Sequence, residues 1–116
     1  MPDATFKRGE YATVDYTPGA AVTAGDIVLL GNTTGICNGI AHSDIANGVL
    51  GTLAVGGAAQ YDIKVASNYA AWTKVYWDDA NNVATSTSTN MSLLGFTTEA
   101  SAAANSIVNV LHQPYV

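Results

Sequence analysis

The sequence predicts an all-β fold, a compact antiparallel sandwich or barrel with short loops and at most one or two helical turns. Short apolar or alternating runs are separated by Gly, Asn, Asp and Pro at intervals of roughly ten residues, a spacing typical of such folds. Helical periodicity is nearly absent. The 116 residues are 48% hydrophobic and 11% charged, so the chain can bury a core, and we expect residues 1–116 to form one domain.

Four strands are predicted in the first half of the chain. Residues 11–16 alternate between polar and apolar side chains, as expected of a strand. Residues 27–30 are apolar on both faces, which is typical of a central strand. Residues 35–44 form a weaker, irregular strand because an Asn-Gly pair interrupts them. Asn47-Gly48 predicts a tight turn into an apolar strand over residues 49–55.

The second half contains five predicted strands, over residues 61–65, 74–77, 83–89, 93–96 and 107–111. In the first of these, Tyr61, Ile63 and Val65 share the inward face. The Ala/Ser/Thr run at 83–89 is β-branched but not hydrophobic, which favours an edge strand or a strand that contacts a neighbour. One helical turn is predicted over residues 67–72, and the loop at 100–105 is the other candidate for helix.

The charge balance argues against nucleic acid as a partner. The net charge is −5 at pH 7, and the four cations, Lys7, Arg8, Lys64 and Lys74, form no run longer than two. A polyphosphate backbone would therefore be repelled. Thr, Ser and Asn replace most of the Lys and Glu of an ordinary solvated surface, which favours burial of that surface against protein partners.

The sequence also indicates the compartment. No apolar stretch reaches the length needed to cross a bilayer, and no apolar segment follows the first charges, so we expect no membrane association and a protein that is made and kept in the cytosol. The single cysteine, Cys37, cannot form an internal disulfide. Stability should therefore come from packing or from assembly.

Candidate catalytic and metal-binding residues are few. Cys37 with His42 or His112 is the one nucleophile and base combination, and nothing near Cys37 in the sequence would lower the pKa of its thiol. Asp78-Asp79 followed by two asparagines could bind calcium, but the spacing is not that of an EF-hand, and a hairpin turn explains it better. His42 and Asp44 lack a third metal ligand nearby. We predict no catalytic residue, no metal and no cofactor.

Aromatic and basic side chains are the candidates for a protein interface. Trp72, Tyr76 and Trp77 lie close together in the sequence, and at least one of these rings should fill the core while another contacts a subunit. Residues 1–10 read as a mobile N-terminal arm that adds a strand to a partner, with a frayed tail as an equally good interpretation. The predicted interface residues are Phe6, Lys7, Arg8, Tyr11, Trp72, Tyr76 and Tyr115.

The order of segments resembles a known family. Four pieces carry the resemblance: residues 22–30 (Val-Thr-Ala-Gly-Asp-Ile-Val-Leu-Leu), residues 44–56, residues 74–78 (Lys-Val-Tyr-Trp-Asp), and Leu94-Gly95 with the closing run 107–111. Together they span nearly the whole chain and resemble the phage capsid cement, or decoration, proteins, once a domain of unknown function and sometimes mislabelled as recombinases. No Gly-rich loop with Lys-Ser/Thr supports the recombinase label.

The resemblance implies a β-tulip-like structural protein of the virion, without enzymatic activity, on the outer surface of the bacteriophage capsid. It would bind the major capsid protein, stabilise its lattice, and assemble as a homotrimer, with a dimer as second choice. Two alternatives remain open. One is a β-domain on the virion that binds host-surface glycans through Trp72, Tyr76 and Trp77. The other is a small hydrolase that uses Cys37 and a histidine.

Overall fold

Ten strands make up the regular structure of residues 3–30, 37–57, 59–88 and 91–114, which are the residues that the computed structural model describes. They are β1 (Ala4–Arg8), β2 (Tyr11–Tyr16), β3 (Ile27–Leu30), β4 (Cys37–Ile40), β5 (Gly51–Gly57), β6 (Gln60–Lys64), β7 (Lys74–Asp78), β8 (Val83–Thr85), β9 (Ser92–Thr97) and β10 (Ile107–His112).

The strands form two antiparallel sheets. The six-stranded sheet has the order β1-β6-β10-β9-β7-β8, and the four-stranded sheet has the order β2-β5-β4-β3. The main hydrophobic core contains residues from both sheets, among them Ile27 and Ile40 from the smaller sheet and Trp77 from the larger one. The predicted all-β sandwich is therefore confirmed.

Every second side chain along β6 and β7 points into the core. For β6 this agrees with the alternation predicted from the sequence. Tyr61, Ile63 and Val65 are fully buried, as are Val75 and Trp77. A buried apolar side chain of this size contributes about 1.5–3 kcal/mol relative to an exposed one, so these inward faces supply much of the stability of the larger sheet.

The prediction that residues 27–30 form a central strand was wrong, because β3 is an edge strand of the four-stranded sheet. Its two apolar faces pack against different hydrophobic clusters. Ile27 and Leu29 belong to the main core between the sheets, whereas Val28 and Leu30 pack on a second apolar cluster. Loop residues Val22 and Ile45 complete that second cluster with Ala41 and Leu53.

The two helical predictions were also wrong, since no helix occurs among the described residues. Backbone N–H groups in the segments at 67–72 and 100–105 donate to carbonyls in other parts of the chain. Trp72 has a φ of 67° and its N–H donates to the Thr97 carbonyl at 2.7 Å. The Ser101 N–H donates to the Tyr69 carbonyl at 2.9 Å, and the Asn105 N–H donates to that of Val65 at 2.8 Å.

The remaining strands differ from the predictions mainly at their ends. β5 begins at Gly51 rather than at residue 49, and β8 covers Val83–Thr85 of the predicted 83–89, of which residue 89 lies outside the described ranges. β8 does lie at a sheet edge, as predicted. β4 occupies the middle of the irregular strand predicted over residues 35–44, of which residues 35–36 lie outside the described ranges.

The beginning of the described chain is bound to both sheets. The Asp3 carboxylate accepts a hydrogen bond from the Ile27 N–H at 3.0 Å, and the Ala4 N–H donates to the Gly25 carbonyl at 2.9 Å. Burial raises the pKa of Asp3, while the bond from Ile27 opposes that shift. From this attachment, residues 4–8 run as β1 along β6. Part of the predicted N-terminal arm is thus a strand in this structure.

Candidate functional site

Phe6 and Tyr11 meet where the chain passes from one sheet to the other. β1 is an edge strand of the larger sheet, β2 is an edge strand of the smaller one, and Gly9, with a φ of 100°, lies between them. The two ring centroids are 5.6 Å apart with an edge-on geometry of 78°. Phe6 remains 41% exposed and Tyr11 40% exposed. Two predicted interface residues therefore form one surface.

His42 and Tyr61 complete this surface. The His42 ring lies 4.9 Å from that of Phe6 and 4.2 Å from that of Tyr11, and the Tyr61 ring lies 5.6 Å from Phe6. These four side chains are called the aromatic cluster below. Edge-on and tilted aromatic pairs of this kind contribute roughly 0.5–1.5 kcal/mol each beyond their burial, so the cluster is expected to hold the two edge strands together.

The polar atoms of the aromatic cluster pair with each other. His42 Nε2 and the Tyr61 hydroxyl oxygen are 2.6 Å apart. Burial, and to a smaller extent the nearby Tyr11, raises the pKa of Tyr61, whereas partial burial lowers the pKa of His42. Both groups are therefore neutral at pH 7. The cluster offers a partner an uncharged surface.

A cavity of about 330 Å³ opens beside the aromatic cluster. Ile40 and Ala41 lie on its apolar side, and Phe6, His42 and Tyr61 contribute the rings of its wall. This volume is at the small end of the range for ligand pockets in proteins. It is large enough to admit an apolar side chain from another protein.

The two predicted basic residues lie next to the cluster on β1. Lys7 Nζ is 3.5 Å from Asp62 Oδ2, and Arg8 Nη1 donates to Gln60 Oε1 at 3.3 Å. Exposed ion pairs of this kind contribute at most about 1 kcal/mol. Both cations can therefore exchange these contacts for contacts with a partner at little cost.

Comparison with known proteins decides the family. Residues 6–112 match the family model described as phage cement protein. The chain belongs to the phage cement protein family. Searches of curated proteins and of solved structures gave no match. Membership implies association with the phage capsid and a structural role, which fits a protein that works by binding.

The other predicted interface residues of this cement protein lie elsewhere. Trp72 is 66% exposed, and it precedes β7, which is separated from β1 by three strands of the larger sheet. Tyr76 is half-buried on β7. Trp77 is 1% exposed, which confirms that one ring of this group fills the core. Tyr115 lies outside the described residues. The seven predicted residues therefore do not form one surface.

Sequence reasoning missed part of the cement protein's exposed surface. The sequence suggests only catalytic or metal-binding roles for His42, and it predicts only an inward position for Tyr61. Val49 and Leu50, predicted to start a strand, are 52% and 65% exposed in the turn before β5. The alternation of β6 marks Tyr61 as buried, but nothing in the sequence indicates that His42 lies beside it.

Cys37 and the two histidines are not arranged as a nucleophile and its base. The Cys37 thiol is 3.6 Å from the Asn38 carbonyl oxygen, and the Nε2 atoms of the histidines bond to Tyr61 and to Asn38. No group of three or more metal-binding side chains occurs in the described ranges. No helix in these ranges is long and apolar enough to cross a membrane.

The acidic segment after β7 is a hairpin turn of the cement protein, as predicted. β7 and β8 pair with Asp78 opposite Val83. The Asp78 carboxylate accepts hydrogen bonds from the N–H groups of Ala80 and Asn81 and from the Asn81 side chain, at 2.8–3.2 Å. These bonds, led by that from the Asn81 side chain, lower the pKa of Asp78. The Asp78 oxygens therefore stabilise the turn by accepting these hydrogen bonds.

Proposed function

We propose that this protein is a capsid cement, or decoration, protein that binds the outer surface of the phage head and stabilises the lattice of the major capsid protein. The structural observation that carries the proposal is the aromatic cluster with its adjoining cavity. We further propose that residues 1–116 act as one domain that is made in the host cytoplasm, has no catalytic activity, and binds neither nucleic acid nor membrane.

The chemistry of the aromatic cluster suits a protein partner. Aromatic residues and arginine are enriched in the cores of protein interfaces, and they supply most hot spots there. Phe6 and Tyr11 each retain about two fifths of their accessible surface for a further contact. A lattice repeats this contact many times, so a modest affinity per copy is enough to hold a shell.

The exposed ring of Trp72, which lies away from the aromatic cluster, supports self-association. Trp72 and Tyr76 lie on the β7 side of the larger sheet, four strand spacings from Phe6 on β1. A closed head-to-tail ring needs two different surfaces on each copy. We therefore propose a trimer, with a dimer as second choice.

A sedimentation assay tests the proposal. Purified protein is mixed with expanded capsids that lack it, the shells are pelleted, and bound copies per capsid subunit are counted. We expect saturable binding at a fixed stoichiometry and a higher melting temperature of the shell. Absence of binding to expanded shells would refute the proposal, and a positive glycan array with the same preparation would then favour the glycan-binding alternative.

A pair of variants tests the surface. Phe6→Ser should weaken shell binding at least tenfold because it removes a ring from the aromatic cluster. Ile107→Ser is the matched control, since Ile107 is an apolar side chain of similar exposure, 47%, on β10. Equal binding by the two variants would place the contact elsewhere on the protein.

A further inference from the structure

β2 presents an open sheet edge. It has six residues, lies at the edge of the four-stranded sheet, and pairs with β5 on its other side. The side chains of residues 11–15 are exposed on both faces of the strand. An edge strand has unpaired N–H and C=O groups at alternate positions, and these can pair with a strand from another protein.

The other three edge strands, β1, β8 and β3, each have a feature that hinders pairing with a strand of another protein. β1 carries Lys7 and Arg8, and β8 has only three residues, all buried. β3 has four residues and none is exposed. Natural proteins use cations, shortness and covering to prevent edge-to-edge pairing. β2 contains no Lys, Arg or Pro, and although its register with β5 shifts between Tyr11 and Thr13, residues 13–16 form a regular run.

The surroundings of β2 are acidic. Residues 9–57 contain four carboxylates and no Lys or Arg, so all four cations of the chain lie outside this segment. Opposite charge on a partner would therefore be attracted to this half of the protein.

Glu10 and Asp15, which lie just before β2 and within it, are the carboxylates without a partner. All nine Asp and Glu side chains fall in the described ranges, and those of Glu10 and Asp15 have no hydrogen bond or ion pair there. The other seven each accept a hydrogen bond or pair with a cation: Asp3, Asp26, Asp44, Asp62, Asp78, Asp79 and Glu99.

We propose that the open edge of β2 pairs with an extended segment of the major capsid protein that carries Lys or Arg opposite Glu10 and Asp15. The inference rests on the proposed function and names the element and chemistry of one contact. A second copy of the chain is a poorer occupant, because pairing of two β2 strands would gather four unpaired carboxylates in one interface.

Charge reversal and hydrogen exchange on shells test the inference. Asp15→Lys should lower the affinity for expanded capsids at least tenfold. The double variant Ala102→Lys/Ala104→Lys changes the net charge by the same two units on an exposed loop and should bind within about twofold of the wild type. In the shell-bound wild type, amides of residues 11–16 that face away from β5 should exchange at least tenfold more slowly than in the free protein.

The outcomes separate this inference from the proposed function. If the wild type binds shells but Asp15→Lys binds equally well, or residues 11–16 gain no protection, the inference is wrong and the cement function stands. If the wild type does not bind shells at all, the cement function fails and the inference fails with it. Protection of residues 11–16 in the free protein that grows with concentration would identify a second copy as the occupant and overturn the inference.

Discussion

Asn38 and His112 form a buried polar contact that joins the two sheets. The Asn38 side-chain N–H₂ donates to Ser92 Oγ at 2.8 Å and to the Leu93 carbonyl at 2.7 Å, and its oxygen lies 2.6 Å from His112 Nε2. Because the Leu93 carbonyl can only accept, the orientation of the amide is fixed. His112 Nε2 must then carry the hydrogen, which leaves Nδ1 unprotonated, buried and without a partner in the described residues.

Removal of the Asn38 side chain should destabilise the protein by about 3 kcal/mol. Asn38→Ala would leave the His112 N–H and the Leu93 carbonyl buried without their present partner, and each unsatisfied group costs about 1–3 kcal/mol. Urea unfolding at pH 7 measures the change. Asn68→Ala, at an exposed asparagine, should change the unfolding free energy by less than about 0.5 kcal/mol. Similar values for both variants would contradict the role of Asn38.

The protonation of His112 should make stability depend on pH. Burial, with a smaller effect of His42, lowers the pKa of His112 from 6.5 to about 4. Between these two values the unfolded chain binds a proton that the folded protein does not. The free energy of unfolding should therefore be unaffected above pH 6.5 and should fall by about 3 kcal/mol in total as the pH drops to 4, at up to about 1.4 kcal/mol per pH unit.

Urea unfolding between pH 7 and pH 4 measures this dependence, and NMR titration of the imidazole signals locates it. His42→Gln should retain most of the dependence, since His42 is exposed. A His112 signal that titrates near pH 6.5 in the folded protein would contradict the prediction.

Among the strands, β9 is shaped by a bulge at Leu94-Gly95. Val75 of β7 pairs with Gly95 and Tyr76 pairs with Leu93, so Leu94 is an additional residue in the register. Gly95 has a φ of 147°, and a Cβ at this position would overlap the carbonyl oxygen of Leu111 on β10. The bulge therefore depends on glycine both for its backbone conformation and for the close approach of β10.

Gly95→Ala should lower the free energy of unfolding by at least about 3 kcal/mol, since it combines an unfavourable φ with a clash against backbone in the centre of a sheet. Gly19→Ala is the control, because a Cβ there meets no atom within 4 Å. Thermal unfolding of the two variants measures the difference. A Gly95→Ala protein as stable as the Gly19→Ala protein would show that the β9–β10 region can rearrange.

The strands themselves were largely predictable because each has a local signal. The alternation around Tyr61, the Asn-Gly turn before β5 and the acidic turn after β7 all belong to short stretches of sequence. The position of a strand in its sheet has no such signal. β3 reads as central because both of its faces are apolar, and only the folded chain shows that loop residues Val22 and Ile45 cover the second face.

The candidate site was predictable only in part, for the same reason. Phe6 and Tyr11 were identified as exposed aromatic residues close to the start of the chain. Their contact with His42 depends on the position of the loop after β4, 31 residues beyond Tyr11, and their contact with Tyr61 depends on the pairing of β1 with β6. Sequence proximity groups Trp72 with Tyr76 and Trp77, yet the three rings differ widely in exposure.

At the scale of the whole molecule, charge is divided unequally along the chain. Residues 9–57 carry carboxylates only, and Lys7, Arg8, Lys64 and Lys74 all belong to strands of the larger sheet. The protein therefore has an acidic four-stranded side and a side on which both signs occur. An electrostatic contribution to shell binding should come from the acidic side and should be screened by salt.

Raising the salt concentration from about 0.1 M to about 1 M shortens the screening length from about 10 Å to about 3 Å. We expect the wild type to bind expanded shells several-fold more weakly at the higher salt, and Asp15→Asn to show a smaller change. Sedimentation at both concentrations measures this. Equal salt dependence of the two proteins would indicate that Asp15 takes no part in the electrostatic attraction.

The position of β10 bears on when the protein can fold. β10 lies in the interior of the larger sheet, between β6 and β9, although it follows the other nine strands in the chain. Until residues 107–112 have been synthesised, β6 and β9 cannot be joined, and Tyr61 and Leu94 lack the part of the core that Val108 and Val110 supply. Non-local pairing of this kind is slow to form. A ribosome-bound chain that stops short of β10 should therefore be unable to close the sheet, so that only chains containing this strand reach the assembly pathway as folded subunits.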